Sequence, residues 1–276
     1  MPTPLRFWQD LATTDFATLD LKRAIAVLPV AAIEQHGPHL PLSVDADLAS
    51  GIIEAALAHL PANLPAIFLP MQSIGFSPEH TSFMGTLTLK AETVIRLWTE
   101  VAECACAAGV RKLLIFNTHG GNVGLLDVVA RDLRMRKNMQ VHTTSWFNLP
   151  LVDEDGRDVN ARFSADERRF GVHAGQIETA MMRALKAERV NMAAAQDFDS
   201  TSRDRARKYP VLGNGRSAKL AWAAQDYNPE GATGNAAAAT AEDGRALLDA
   251  AGRGLARLLC EIDDLPWTLR DAQASP

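Results

Sequence analysis

The chain alternates between short apolar runs and longer segments that carry apolar positions at helical spacing. The run at residues 25–33 is apolar at every position, which is typical of a parallel strand buried on both faces. Similar runs predict strands at residues 66–70, 112–117 and 141–147. Periodic segments predict helices at residues 46–60, 90–107, 123–136 and 239–262, and a further helix that begins within residues 172–180. This alternation predicts a three-layer α/β/α fold with a mainly parallel sheet.

Two segments depart from the alternation. Residues 73–86 are rich in turn residues and form a loop too long for a simple connector, so we expect the loop to cover a site. Residues 197–234 lack periodicity but include Trp222 and Tyr227, which would be unusual in a linker. We interpret this segment as an irregular excursion suited to contact with another subunit.

The composition permits a substantial core and argues against several partners. With 276 residues, 47% of them hydrophobic, the chain is expected to form one domain over residues 1–276, with its core at about residues 20–262. The net charge of -5 and a pI near 5.8 argue against a nucleic-acid partner, and the basic run at residues 203–208 reads as a solvated surface. No apolar run approaches the roughly 20 residues needed to span a bilayer.

The cysteines and the first residues predict a cytoplasmic protein. Cys104, Cys106 and Cys260 are an odd number without the spacing of a disulfide framework or a zinc knuckle. Residues 1–10 lack the positive patch and apolar core of a secretory signal. We therefore expect buried thiols in a reducing cytosol.

A polar cluster follows the first predicted strand. It reads Glu34-Gln35-His36-Gly37-Pro38-His39-Leu40-Pro41, and Asp45 comes shortly after it. Ligands of open α/β sheets bind at the carboxyl ends of the strands, and residues two apart on an extended backbone point to the same side. Two carboxylates and an imidazole make a divalent-metal half-site of mixed oxygen and nitrogen character. The alternative is that Asp45 only caps the next helix, while Glu34 and His36 face solvent.

Two further polar groups complete the candidate chemistry. Thr118-His119-Gly120-Gly121-Asn122 follows the predicted strand at residues 112–117, so His119 lies at a second strand end. Its glycines allow a tight turn and a close backbone approach, but their spacing is neither that of a dinucleotide-binding turn nor that of a P-loop. His173 and Glu178 lie at the start of a predicted helix, where the helix dipole alone would also explain an acid.

With these motifs in this order, the chain resembles the creatininase family of amidohydrolases, in a branch with the sequence His119-Gly120-Gly121-Asn122. The resemblance implies an α/β/α fold, two divalent metal ions per chain, zinc or manganese, and assembly into a homohexamer. It implies that Asp45 bridges the two ions and that His173 is the catalytic histidine. The metal ligands implied in this way are Glu34, His36, Asp45 and His119.

The chain departs from the family pattern at one place. After the metal-binding histidine, creatininase has a tyrosine and then a metal-binding glutamate, where this chain has Gly120, Gly121 and Asn122. A neutral amide is a poor replacement for a carboxylate on such cations. We therefore expect Glu178 to supply the missing carboxylate, as a ligand and as part of the catalytic machinery.

Several residues are candidates for contact with the substrate. The main candidates are His80, Gly120, Gly121, Asn122 and Trp146, and Phe83 and Phe147 are further candidates for the pocket wall. For His80 the alternative is a role in packing its own loop. For the aromatic residues the alternative is ordinary core or interface packing.

The resemblance implies hydrolysis of the C–N amide bond of a small cyclic amide or formamide. Two cations would activate the attacking water and polarise the carbonyl, and His173 would deliver a proton to the leaving nitrogen. Alternatives within the family are hydrolysis of creatinine itself, a peptidase-type activity, and a nucleotide deformylase, for which the motif regions offer no arginine cluster. Outside catalysis, the alternative is a metal-binding relative without turnover. A Rossmann enzyme would need a glycine fingerprint that is missing after the first strand.

Overall fold

Four parallel strands form the central sheet of the computed structural model, which describes residues 6–266. The strands are β1 (Ile25–Val30), β2 (Ala66–Phe68), β3 (Lys112–Asn117) and β4 (Gln140–Ser145), and their order across the sheet is β2-β1-β3-β4. In register, Val30 lies beside Asn117 and Asn117 lies beside Ser145, so β1, β3 and β4 end at the same level. Polar residues that follow these strands therefore meet at one edge of the sheet.

The helices account for the two outer layers. The long helices are α1 (Val44–His59), α2 (Ala91–Ala108), α3 (Val123–Lys137), α5 (Gln176–Leu185) and α8 (Ala241–Asp264). The short helices are α4 (Ala165–Phe170), α6 (Thr201–Lys208) and α7 (Ala224–Tyr227). A small antiparallel pair, β5 (Asp197–Phe198) and β6 (Gly234–Asn235), lies outside the main sheet.

Alternate residues of β1 enter two separate cores. Ile25 and Val27 pack in the cluster that includes residues of α1, α5 and α8, whereas Ala26 and Leu28 pack in the cluster that includes residues of α2 and α3. All of these β1 side chains are buried. The continuous apolar run is thus explained by burial on both faces, and the three-layer α/β/α prediction is confirmed.

Some element boundaries differ from the predicted ones. Helix α1 begins at Val44 after the N-cap residue Ser43, so Asp45 lies inside the first turn and does not cap the helix. Helix α5 begins at Gln176, so His173 precedes the helix instead of lying within it. Ala174 has a φ of 54°, a left-handed conformation that interrupts any helix at this point.

The prediction of buried thiols was wrong. Cys104 is exposed, and Cys106 and Cys260 are partly exposed. On α2 the buried positions include Trp98, Ala102 and Ala105, and Cys104 falls on the opposite, solvent-facing side of this amphipathic helix. Within residues 6–266, no helix combines the length and the apolar character needed to cross a membrane.

Candidate metal centre

The ends of β1 and β3 bring the predicted ligands together. Glu34 and His36 follow β1, His119 follows β3, and Asp45 reaches the same place from the first turn of α1. Glu178 enters from the first turn of α5. Four of the five side chains are almost completely buried, and Glu178 is partly buried. We call these five residues the candidate metal centre.

One half of the centre consists of Glu34, Asp45 and His119. His119 Nδ1 lies 3.2 Å from Glu34 Oε1 and 3.3 Å from Asp45 Oδ2. The other ring nitrogen, Nε2, lies 3.0 Å from the carbonyl oxygen of Phe76, to which it donates a hydrogen bond. Because Nε2 carries the proton of this hydrogen bond, the lone pair of Nδ1 points at the two negatively charged carboxylates. A second proton on Nδ1, or a cation between Nδ1 and the carboxylates, is therefore required.

The other half consists of His36, Asp45 and Glu178. His36 Nε2 lies 3.8 Å from Asp45 Oδ1 and 4.0 Å from Glu178 Oε2. His36 Nδ1 donates to the carbonyl oxygen of Glu34 at 3.0 Å, which leaves Nε2 as the free lone pair. The two oxygens of Asp45 thus face different histidines, as a carboxylate that bridges two ions would.

Three buried atoms of the centre have no hydrogen-bond partner within residues 6–266, namely Glu34 Oε2, His36 Nε2 and Asp45 Oδ2. Leaving such atoms unpaired is costly, so a ligand is expected at this point. Tetrahedral zinc with bonds of about 2.0–2.2 Å places its ligand atoms roughly 3.3–3.6 Å apart. The separations of 3.2–4.0 Å found here are close to that spacing. The donor set therefore fits divalent cations.

The electrostatics of the centre also favour cations. Burial and the charge of Asp45 raise the pKa of Glu178 to about 8, and burial and the charge of Glu34 raise the pKa of Asp45 to about 7. Burial lowers the pKa of His36 well below its usual value. For His119, burial acts in the same direction, but the carboxylates of Glu34 and Asp45 overcome it and raise its pKa well above the usual value. The negative charge that holds a proton on His119 would equally attract a metal ion.

His173 and His80 surround the same carboxylate of Glu34. His173 Nε2 donates to the carbonyl oxygen of Gln35 at 2.8 Å, and its Nδ1 lies 3.8 Å from Glu34 Oε1. His80 Nδ1 accepts from Gln35 Nε2 at 2.7 Å, and its Nε2 lies 3.3 Å from Glu34 Oε1. Gln35, to which the sequence assigned no role, therefore orients both imidazoles.

A short loop connects His173 to Glu178. His173 lies in an extended segment that pairs with Thr233, and the next residue, Ala174, has the left-handed conformation described above. The backbone N–H of Ala174 donates to Glu178 Oε2 at 2.6 Å. The oxygen of Glu178 that faces His36 is thus held by the residue that follows His173.

The centre opens into a cleft of about 610 Å³. Trp146 and Phe147 form part of its wall, with their rings edge to face at 6.0 Å. Trp222, Gly120 and Gly121 also line the cleft, as do His173, Glu178 and His119. The predicted contacts at Trp146, Gly120, Gly121 and Phe147 are therefore available to a bound substrate.

Three predicted contacts lie elsewhere. Asn122 is fully buried, and its amide bonds the backbone N–H of Phe76 and the carbonyl oxygen of Ala31. This amide joins the turn after β3 to two other segments and does not line the cleft. His80 is buried behind Glu34, where its ring contacts residues of other segments, and it does not line the cleft. Phe83 is likewise not part of the cleft wall.

Glu79 is a cleft residue that the sequence analysis missed. Its Oε1 lies 3.7 Å from His119 Nε2, and burial raises its pKa. A Cβ at Gly121 would lie 2.4 Å from this oxygen and 2.4 Å from His119 Nε2. Glycine at position 121 therefore makes room for Glu79 beside His119. The loop at residues 73–86 was predicted to cover a site, but the sequence does not show which of its polar residues reaches inward.

The fold and the cluster define an α/β protein with a buried carboxylate and imidazole centre at the carboxyl edge of its sheet. The family model of creatininase, described as creatinine amidohydrolase, matches residues 9–259, so the chain belongs to the creatininase family.

The relatives of this chain include proteins named as peptidases and proteins named as creatininases. A mycofactocin precursor peptide peptidase of Mycobacterium tuberculosis is 39% identical over 106 residues, which cover 36% of this chain and 42% of the relative. The protein of the same name from Mycobacterium ulcerans is 30% identical over 185 residues, or 65% of each chain. A solved creatininase with manganese is similar in fold, with a TM-score of 0.73, 21% identity, and coverage of 94% of this chain and 98% of that one. These matches to curated relatives span less than two thirds of the relatives' length.

Proposed function

We propose that the protein binds two divalent metal ions and uses them to hydrolyse a C–N amide bond. The observation that carries this proposal is the position of Asp45, whose Oδ1 faces His36 at 3.8 Å and whose Oδ2 faces His119 at 3.3 Å. In two-metal hydrolases a bridging carboxylate holds the ions roughly 3.5–4 Å apart. The carboxylates and imidazoles of the centre are ligand types that suit zinc and manganese.

The ligands divide into two sets that share Asp45. Glu34 and His119 would hold one ion with Asp45 Oδ2, and His36 and Glu178 would hold the other with Asp45 Oδ1. The ligand atoms of Glu34, Asp45 and His119 lie within 4.8 Å of one another, and so do those of His36, Glu178 and the nearby His173. When bound, the ions would supply a Lewis acid for the amide carbonyl and lower the pKa of the attacking water.

His173 is positioned to move a proton between the attacking water and the leaving nitrogen. Burial lowers the pKa of its imidazole, so the ring is neutral near pH 7 and can accept a proton at Nδ1. The hydrogen bond from Nε2 to the carbonyl oxygen of Gln35 keeps the other nitrogen occupied. His173 lines the cleft, so a substrate amide can reach it.

The substrate that we propose is a small cyclic amide or a formamide. Trp146 and Phe147 offer flat apolar surfaces for a small planar group, and the glycines after His119 let the substrate approach the backbone. A peptide amide is the second candidate, because the curated relatives described above are named peptidases. Cytoplasmic location and hexameric assembly stay predictions from the sequence.

Metal analysis and a substrate panel test the proposal together. Protein purified without chelator, or reconstituted with zinc or manganese, should contain close to two ions per chain by elemental analysis. The loaded protein should hydrolyse a member of a panel that includes creatinine, N-formyl amines, cyclic amides and short peptides, and a chelator should stop the reaction. One ion or none after reconstitution would contradict the binuclear centre, and failure on the whole panel would contradict the activity.

A further inference from the structure

A second cavity, of about 910 Å³, adjoins the cleft. It lies between α4, α6 and the segment at residues 212–222. Its wall contains five basic residues, which are Arg168, Arg169, Arg205, Arg216 and Lys219. No aspartate or glutamate within residues 6–266 is part of that wall. We call this cavity the basic groove.

The positive charge of the basic groove is not neutralised by neighbouring acids. Arg168, Arg216 and Lys219 make no side-chain hydrogen bond, ion pair or ring contact with the described part of the chain. Arg205 lies over the ring of Tyr227, 5.1 Å from its centroid, without a carboxylate partner among residues 6–266. A cluster of unpaired cations on a protein of net charge -5 calls for a specific reason.

Other basic residues of the same helix behave differently. Arg203 pairs with Asp199 at 3.0 Å, and Arg207 pairs with Asp204 at 2.7 Å. Neither Arg203 nor Arg207 belongs to the wall of the groove. On α6, therefore, the arginine that faces the groove lacks an acidic partner, while those that face away have one. The predicted solvated surface fits Arg207 and Lys208, which are exposed, whereas Arg203 and Arg205 are half-buried.

The basic groove shares part of its wall with the cleft of the metal centre. Arg168, Val172 and Trp222 line both cavities, and Val172 immediately precedes His173. The residue before Arg168, Glu167, is a buried carboxylate that accepts hydrogen bonds from the backbone N–H groups of Gln176 at 2.7 Å and Asn235 at 2.8 Å, which ties helix α4 to the adjoining segments. A molecule bound with its amide at the centre can therefore extend past Trp222 into the groove.

We propose that the basic groove binds an anionic group, a phosphate or a carboxylate, carried by the substrate whose amide bond is cut. The inference rests on the proposed function for the amide end of the molecule. Guanidinium groups bind both anions through pairs of N–H donors, and such charge-assisted hydrogen bonds are stronger than neutral ones. A neutral cyclic amide as small as creatinine would leave this groove unused. The substrate class is thus an amide with an anionic extension.

Equilibrium binding of two simple anions tests the groove without any turnover. Inorganic phosphate and succinate are titrated calorimetrically into the full chain, both metal-loaded and chelator-treated, since phosphate can also bind to metal ions. The test variant is the double substitution Arg205→Gln with Arg216→Gln. The matched control is Arg207→Gln, which removes one positive charge from the same helix outside the groove. Thermal melting checks that the variants are folded, which is expected because Arg207 and Arg216 are exposed and Arg205 is partly exposed.

We expect at least one anion to bind both forms of the wild-type protein and to bind the double variant roughly tenfold more weakly, which corresponds to about 1.4 kcal/mol. The control should stay within about twofold of wild type, since exposed ion pairs contribute little. Tighter binding of phosphate would identify a phosphate group on the substrate, and tighter binding of succinate a carboxylate. The proposal that the groove binds an anion would be contradicted by equal binding to the wild type and the double variant. It would also be contradicted by binding that requires the metal ions, or by no binding of either anion. Because chelator-treated protein is included, these outcomes are independent of whether the amidase proposal holds.

Discussion

The candidate metal centre and the basic groove share a wall but are built in different ways. The centre lies at the edge of a parallel sheet, its ligands are mostly buried, and backbone carbonyl groups fix the orientation of His36 and His119. The groove is formed by short helices and an irregular segment, and its basic side chains are largely without partners in the described residues. This contrast suggests that the rigid sheet carries the chemistry, while the irregular segments select the substrate.

Removal of Asp45 should have the largest effect, and it should affect only one of the two regions. Asp45→Ala deletes the proposed bridge, so at least one ion should be lost and turnover should fall by roughly 1,000-fold or more, equivalent to about 4 kcal/mol. Elemental analysis and the substrate panel measure these losses. Anion binding in the groove should be unchanged. Two metal ions per chain in the variant would contradict the proposal that Asp45 bridges the ions.

Substitution of His173 should separate catalysis from metal binding within the centre. His173→Ala removes the proposed proton carrier, so turnover should fall by roughly 100-fold or more while both ions are retained. Metal content and the pH profile of turnover are measured on the same preparation. If the variant lost an ion, His173 would be a ligand, a role for which its ring nitrogen is also close enough.

The two glycines after His119 provide a matched pair that tests how tightly the centre is packed. A Cβ at Gly121 would lie 2.4 Å from Glu79 Oε1, whereas a Cβ at Gly120 would meet nothing within 4 Å. Gly121→Ala should therefore cost roughly 1–3 kcal/mol of stability or weaken metal binding by up to about 100-fold. Gly120→Ala should resemble wild type in both thermal melting and metal titration. Equal behaviour of the two variants would contradict the close approach of Glu79.

A smaller effect is expected from pH, which should change metal binding at the centre but not anion binding in the basic groove. The raised pKa values of Asp45 and Glu178, about 7 and about 8, mean that these carboxylates hold protons at pH 6 that a metal ion must displace. Metal affinity should therefore increase by up to about tenfold per pH unit for each displaced proton from about pH 6 to pH 8. Calorimetry in two buffers of different ionisation enthalpy measures the released protons. Succinate binding by the arginines of the groove should stay nearly constant over this range, because guanidinium groups remain charged. Metal affinity independent of pH would contradict the shifted carboxylates.

The sequence predicts the sheet edge well and the outer segments poorly. Strand β3 occupies the predicted residues 112–117, and the apolar runs before Glu34 and His119 place both at strand ends, because local periodicity reflects burial directly. The approach of Glu79 to His119 and the shared wall at Arg168 depend on contacts between residues far apart in the chain, which a single sequence does not reveal. The sequence motifs contain no arginine cluster that would favour a nucleotide substrate, yet the fold assembles such a cluster from three separate segments.

The hydrogen bond from the Ala174 N–H to Glu178 has a consequence for how the protein should respond to scarce metal. The carboxylate that would complete the second ion's ligand set lies in the first turn of α5, and the imidazole that would carry the proton lies in the segment just before that helix, next to the left-handed Ala174. An ion bound at the second position would thus reinforce the alignment of His173 that the hydrogen bond to Gln35 already favours. Activity should then rise more steeply than in proportion to occupancy, so that a cell short of metal would switch such an enzyme off instead of merely slowing it.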